Sequence, residues 1–146
     1  MRFVFLLVAA LAAASVPAQT PAAVSVPVPV SAQCLARLDE AAHLMTAGEV
    51  CESGELAQAY RAAGLVRMHA MRQQCGQMNE HHPQWQAQWR RHPAFVLDDP
   101  ARRTEADIHA YCQAHRGTAA AIFRRYAPTL QQDIREMWRQ AWQEGG

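Results

Sequence analysis

Seven histidines and four cysteines carry most of the chemistry available to this 146-residue chain. His109, Cys112 and His115 form H-x-x-C-x-x-H, which has the composition of a ligand set. On an α-helix, residues three apart share a face, but residues six apart point roughly 120° from one another. His109 and His115 therefore cannot both reach one ion with Cys112. The spacing places His115 on the apolar face of a packed helix and His109 at its edge, near Glu105. A looser set comprises His69, between Met68 and Met71, with His81, His82 and His92. Imidazole and thioether ligands suit copper, and protonation of such a cluster near pH 6 would make it acid-responsive. Methionines at helical spacing are, more commonly, core filler.

Cys112-x-x-His115 is similar to the bridged cysteine and catalytic histidine of secreted phospholipases A2. That family has an aspartate after the histidine and a glycine-rich calcium loop before it. Here Arg116 follows, and no such loop precedes, so the activity does not carry over. Catalytic machinery is thin elsewhere. Beyond residue 18 the serines are Ser25, Ser31 and Ser53, and G-x-S-x-G, H-E-x-x-H and phosphate-loop patterns are absent. Every basic residue is arginine, which stays charged at any working pH and so supplies neither Schiff-base chemistry nor a tunable base. The expectation is a non-enzyme without a cofactor.

The tryptophans point to recognition. Trp85 and Trp89 lie one helical turn apart beside Arg90 and Arg91, and Trp142 lies near the C-terminus. Tryptophan with arginine is the composition of interface hot spots. These five residues are the candidate binding patch, with Trp138 assigned to the core.

The elements that would hold these residues are helices. Residues 1–18 read as a signal peptide: a basic start, an unbroken apolar run from Phe3 to Ala14, and small residues ahead of cleavage after Ala18. As a helix that run rises only about 18 Å, too short for a ~30 Å hydrocarbon core. Residues 19–32 alternate proline with valine and alanine and read as an extended tether. Residues 33–146 form the domain. The first helix carries Cys34, Leu38, Ala41, Ala42 and Met45 on one face and stops at Gly48. The second starts from Ser53 and runs to about Gln74, with Leu65, Met68, Met71, Cys75 and Met78 near one stripe. Ala59, Ala62, Ala63 and Gly64 let a neighbouring helix approach. Pro83 opens a short helix that Pro93 ends, and Phe95, Val96 and Leu97 plug the core. Asp99-Pro100 starts a helix that keeps its phase across Gly117 to Tyr126, as one kinked helix or two collinear ones. Pro128 opens the last. The fold class is all-α: a small disulfide-stapled bundle of four main helices plus one short one.

Helix length also constrains the bridges. In an exported chain four cysteines read as two disulfides. A continuous first helix separates Cys34 from Cys51 by roughly 20 Å, and the second separates Cys51 from Cys75 by about 36 Å. A bridge needs Cα atoms within about 7 Å. The remaining pairing is Cys34–Cys75 with Cys51–Cys112; a broken first helix would restore Cys34–Cys51. Net charge is near zero, which gives no reason to expect nucleic acid as a partner. The expectation is a periplasmic or secreted protein-binding module, without a membrane span after cleavage, of inhibitor, immunity, adaptor or chaperone type. The alternative is a metal-binding or pH-responsive protein using the histidine and methionine cluster.

Overall fold

The computed structural model describes residues 30–76 and 81–145; the expected signal peptide, most of the tether and Met78 lie outside the described residues. Five α-helices make up the described chain, and no strand occurs among the described residues.

Helix α1, Ala32–Thr46, begins where the Ser31 hydroxyl accepts the Cys34 N–H at 3.2 Å. It does not stop at Gly48. The chain widens into one π-helical turn, Ala47–Cys51, before Glu52 extends. Gly48 is a contact point instead of a terminator. A Cβ there would come within 2.9 Å of the Ala57 carbonyl oxygen, and Arg61 donates to the Gly48 carbonyl at 3.1 Å.

Helix α2, Gly54–Cys75, runs antiparallel to α1, with Ser53 at its N-cap position but making no side-chain capping bond. The small residues work as the sequence implies. Gly64 lies against α1 so closely that a Cβ would meet Met45 Cγ at 2.4 Å and the Met45 nitrogen at 3.3 Å. Met45 can swing away from one methyl group but not from a branched side chain. Gly64→Val is therefore expected to cost about 2 kcal/mol by overpacking, read as a lower urea midpoint with an unchanged slope. Leu65, one residue on, is rotated out of this seam and is 51% exposed, contrary to its expected place in the apolar stripe.

Helix α3, Pro83–Arg91, and the 3-10 turn Pro93–Leu97 start the same way, with a histidine before a proline. His82 Nδ1 accepts the Gln84 N–H at 3.2 Å, and His92 Nδ1 accepts the Ala94 N–H at 3.1 Å. Proline fits the next position because its missing N–H would have had no helical partner. Of the three residues expected to plug the core, only Leu97 does so. The three-residue repeat of the 3-10 turn buries Ala94 and Leu97 and leaves Phe95 and Val96 exposed.

Asp99 does not start a helix. It closes a turn by accepting the Ala101 N–H at 2.9 Å. Helix α4, Glu105–Tyr126, starts six residues later at a reciprocal cap, where Thr104 accepts the Asp107 N–H and Asp107 accepts the Thr104 N–H. Two orphan donors are satisfied there, against one at Asp99. The Thr104 hydroxyl also donates to the Asp107 carboxylate at 2.7 Å, and that bond, with the one from the Thr104 N–H, holds the Asp107 carboxyl below its usual pKa. α4 is a single helix across Gly117.

Pro128 lies in the turn before helix α5, Leu130–Glu144. Leu130, Ile134 and Met137 pack on the central cluster of Leu44, Ala63, Val66 and Ile122. Trp138 is not core: it is 59% exposed, because one residue past Met137 turns it about 100° from the seam.

Both bridges link the expected pairs. Cys34 and Cys75 have Cα atoms 6.0 Å apart and join the ends of α1 and α2; Cys51 and Cys112, 5.4 Å apart, tie the π-helical turn to α4. The first helical segment runs unbroken to Cys51, which excludes a Cys34–Cys51 link.

Candidate functional site

An open groove of about 560 Å³ lies where α1 and α2 meet α3 and the 3-10 turn. Leu38, Ala42, Met45 and Met68 line it from the two long helices; Trp85 and Trp89 line it from α3, and Phe95 from the turn. The indoles of Trp85 and Trp89 lie nearly parallel, with centroids 6.0 Å apart and planes 18° apart. Phe95 meets Trp89 edge-on at 6.3 Å. α3 itself has no buried residue; its indoles are half-buried, Trp85 against Leu38 and Met71 and Trp89 against Ala94, Leu97 and Tyr111. At the rim Arg103 pairs with Glu49 at 2.7 Å, and Arg90 makes no ion pair among the described residues.

Behind this wall lies a polar cluster drawn from three elements. Asp39 and His43 come from α1, His92 from the start of the 3-10 turn, and Tyr111 and His115 from α4. The imidazoles of His43 and His92 have centroids 4.5 Å apart. His43 Nε2 lies 3.7 Å from Asp39 Oδ2, and His92 Nε2 lies 3.4 Å from Asp39 Oδ1. His43 Nδ1 is 3.2 Å from the Tyr111 hydroxyl, and His115 stands 5.5 Å from the His43 ring. Both histidines are buried, while the Asp39 side chain is 40% accessible. Trp89 stacks on His92 at 5.4 Å, so one ring separates cluster from groove.

Burial and hydrogen bonding set the protonation states. Desolvation lowers the His43 pKa, with Asp39 opposing and His115 assisting. Desolvation and then the charge of His43 lower His92 to about 4, against the pull of Asp39. Desolvation pushes Tyr111 up to about 12, so it remains a phenol.

Asp39, His43 and His92 have donor atoms within 4.8 Å of one another, close enough to hold a metal ion. The hydrogen bonds at His92 oppose that use. A histidine bound through Nε2 must carry its proton on Nδ1 and give it to an acceptor. Here Nδ1 faces the Ala94 N–H, itself a donor. Neutral His92 therefore carries its proton on Nε2, where a metal would have to sit. Nε2 has no hydrogen-bond partner among the described residues, and the Asp39 carboxylate lies 3.4 Å from it without hydrogen-bond alignment.

Of the five residues in the expected binding patch, Trp85, Trp89 and Arg90 line the groove. Arg91 is exposed outside it, and Trp142 is 80% exposed on α5. The four histidines of the expected metal cluster serve separate roles. His69 bonds to Gln140 at 3.0 Å, His82 caps α3, His92 joins Asp39 and His43, and His81 is exposed. The sequence reading missed Asp39 and His43, since a lone acid and a lone histidine on α1 carry no motif. The one available signal was the repeated His-Pro dipeptide at helix starts. No family model matches this chain, and neither the search of curated proteins nor that of solved structures found a match, so the functional reading rests on these residues.

Proposed function

We propose that this is an exported, non-enzymatic helical module that binds another protein, with an apolar segment of that partner seated between Trp85, Trp89 and Phe95. The observation that supports this reading is the groove. Its volume falls in the range of ligand sites, and its walls are aromatic side chains, the residue class that dominates binding hot spots. Inhibitor, immunity, adaptor and chaperone roles all fit such a surface. Two bridges suit an oxidising compartment, and no helix among the described residues is long and apolar enough to cross a membrane. Both are compatible with periplasmic or secreted placement.

The test is a photo-crosslinking amino acid at Phe95 in cells expressing the full chain. A discrete adduct is expected, reduced at least tenfold by Trp89→Ala. No adduct at Phe95, or one indifferent to Trp89→Ala, counts against the groove. The alternative, a metal-binding or pH-responsive protein, draws support in its second half from the paired imidazoles around Asp39.

A further inference from the structure

We propose that Asp39, His43 and His92 form a proton-binding site behind the groove, and that proton uptake at His92 releases the 3-10 turn that forms one groove wall. The consequence for the groove's occupant rests on the binding role proposed above; the proton site does not.

The inference starts from which atoms can accept a proton. With the ring protons on Nε2, which lies 3.7 Å from Asp39 in His43 and 3.4 Å in His92, the Tyr111 hydroxyl donates to His43 Nδ1. The Ala94 N–H occupies His92 Nδ1. Each ring thus has one basic site, the Nδ1 that already accepts a hydrogen bond. The two differ in what happens when it is protonated. At His43 the Tyr111 hydroxyl can rotate and accept instead of donate. At His92 the partner is a backbone N–H, which cannot reverse. A proton on His92 Nδ1 places two donors against each other and breaks the cap. His43 can adapt, and His92 cannot.

The geometry carries that change to the groove. The lost bond holds the first turn of Pro93–Leu97, whose Ala94, Phe95 and Leu97 line the groove. Trp89, stacked on the His92 ring, forms another part of the lining. The groups facing His92 from the packed elements are Asp39 and His43 on α1 and His115 and Tyr111 on α4. Asp39 favours the proton; His43 and His115, once charged, oppose a second. Asp39 is the part-exposed member, so it offers the way in for solvent protons. Above pH 6.5 the cap is intact and the groove is walled. As pH falls toward 4 the wall loosens and an occupant is released.

The experiment uses the full chain, labelled with nitrogen-15 at histidine and backbone. At pH 7.5 His92 is expected as the Nε2–H tautomer. Its titration is expected well below 6.5, and amide protection of Phe95 to Leu97 should fall at least tenfold with the same midpoint. N-phenylnaphthylamine, an apolar probe uncharged across this range, should bind about tenfold more weakly at pH 3 than at pH 7.5. His92→Asn keeps a capping oxygen and cannot titrate, so it should flatten both responses. An Nδ1–H tautomer at neutral pH, the state that zinc ligation through Nε2 requires, would overturn the proposal. So would titration near 6.5, or an unaltered acid response in a folded His92→Asn protein. Should His92→Asn fail to fold, the wild-type tautomer and titration decide alone. Probe binding unchanged by Trp89→Ala would sink the groove reading, while the histidine titration and amide protection would still decide the proton site.

Discussion

Replacing Cys51 and Cys112 together by alanine is expected to lower the unfolding free energy by about 4 kcal/mol. The bridge closes a loop with a sequence separation of 61, and the entropy removed from the unfolded chain by a loop of that size corresponds to about 4 kcal/mol. A small domain has only some 5–15 kcal/mol in all, so the loss is a large share. α4 should suffer first. Its ties to the N-terminal hairpin, apart from the bridge, are the packing of Ile122 on Leu44, Ala63 and Val66, of Ala119 and Phe123 against Tyr60, the contact of Tyr111 with His43, and surface pairs such as Arg116 with Glu52 at 2.9 Å. Exposed pairs of this kind contribute about 0–1 kcal/mol. Urea unfolding of the double variant checks the total, and amide exchange checks the location. A change under 1 kcal/mol would show that the bridge decorates an already complete bundle.

The second large effect is acid sensitivity. His92 has an ordinary pKa of 6.5 in the unfolded chain and about 4 when folded, because burial disfavours its charged form. Where the folded pKa is depressed, the unfolded state takes up the proton first. Stability is therefore complete above pH 6.5 and falls as pH drops from 6.5 to about 4, by about 3 kcal/mol for His92. Lowering of His43 by the same cause adds to the fall. Below that window His92 contributes no further slope. Urea midpoints from pH 7.5 to 3.5 should trace this shape, and His92→Asn should remove most of it. A flat profile between pH 6.5 and 4.5 would mean that the cluster is hydrated enough to keep ordinary histidines.

The bundle was more legible in the sequence than the site. Helix lengths alone chose the cysteine pairs, because 1.5 Å per residue is a hard constraint. Gly64 announced close packing, since a mid-helix glycine has a cost that contact must offset. Position around a helix was read less well. Leu65 sits one residue off a buried neighbour and Trp138 one residue off the half-buried Met137, and an apolar stripe does not show which of its edges the bundle covers. The helix start expected at Asp99 was outcompeted by a better cap at Thr104, a comparison that needs the turn between them. The histidine cluster was hidden for a different reason. Asp39, His43, His92 and Tyr111 come from three elements far apart in sequence, and only tertiary packing makes them neighbours.

The pairing of the bridges has one more consequence, for the order of events during synthesis. The links are first to third and second to fourth, so neither joins consecutive cysteines. A chain that emerges N-terminus first offers an oxidant Cys34 with Cys51 before Cys75 exists. That early link is incompatible with α1 and the π-helical turn, which hold its two sulfurs at opposite ends of one rod. If the rod forms before the oxidant acts, the wrong pair is out of reach and Cys34 waits for Cys75. If oxidation comes first, the product must be reshuffled by a thiolate. The N-terminal helix thus acts as a ruler that keeps the first two thiols apart until their partners arrive.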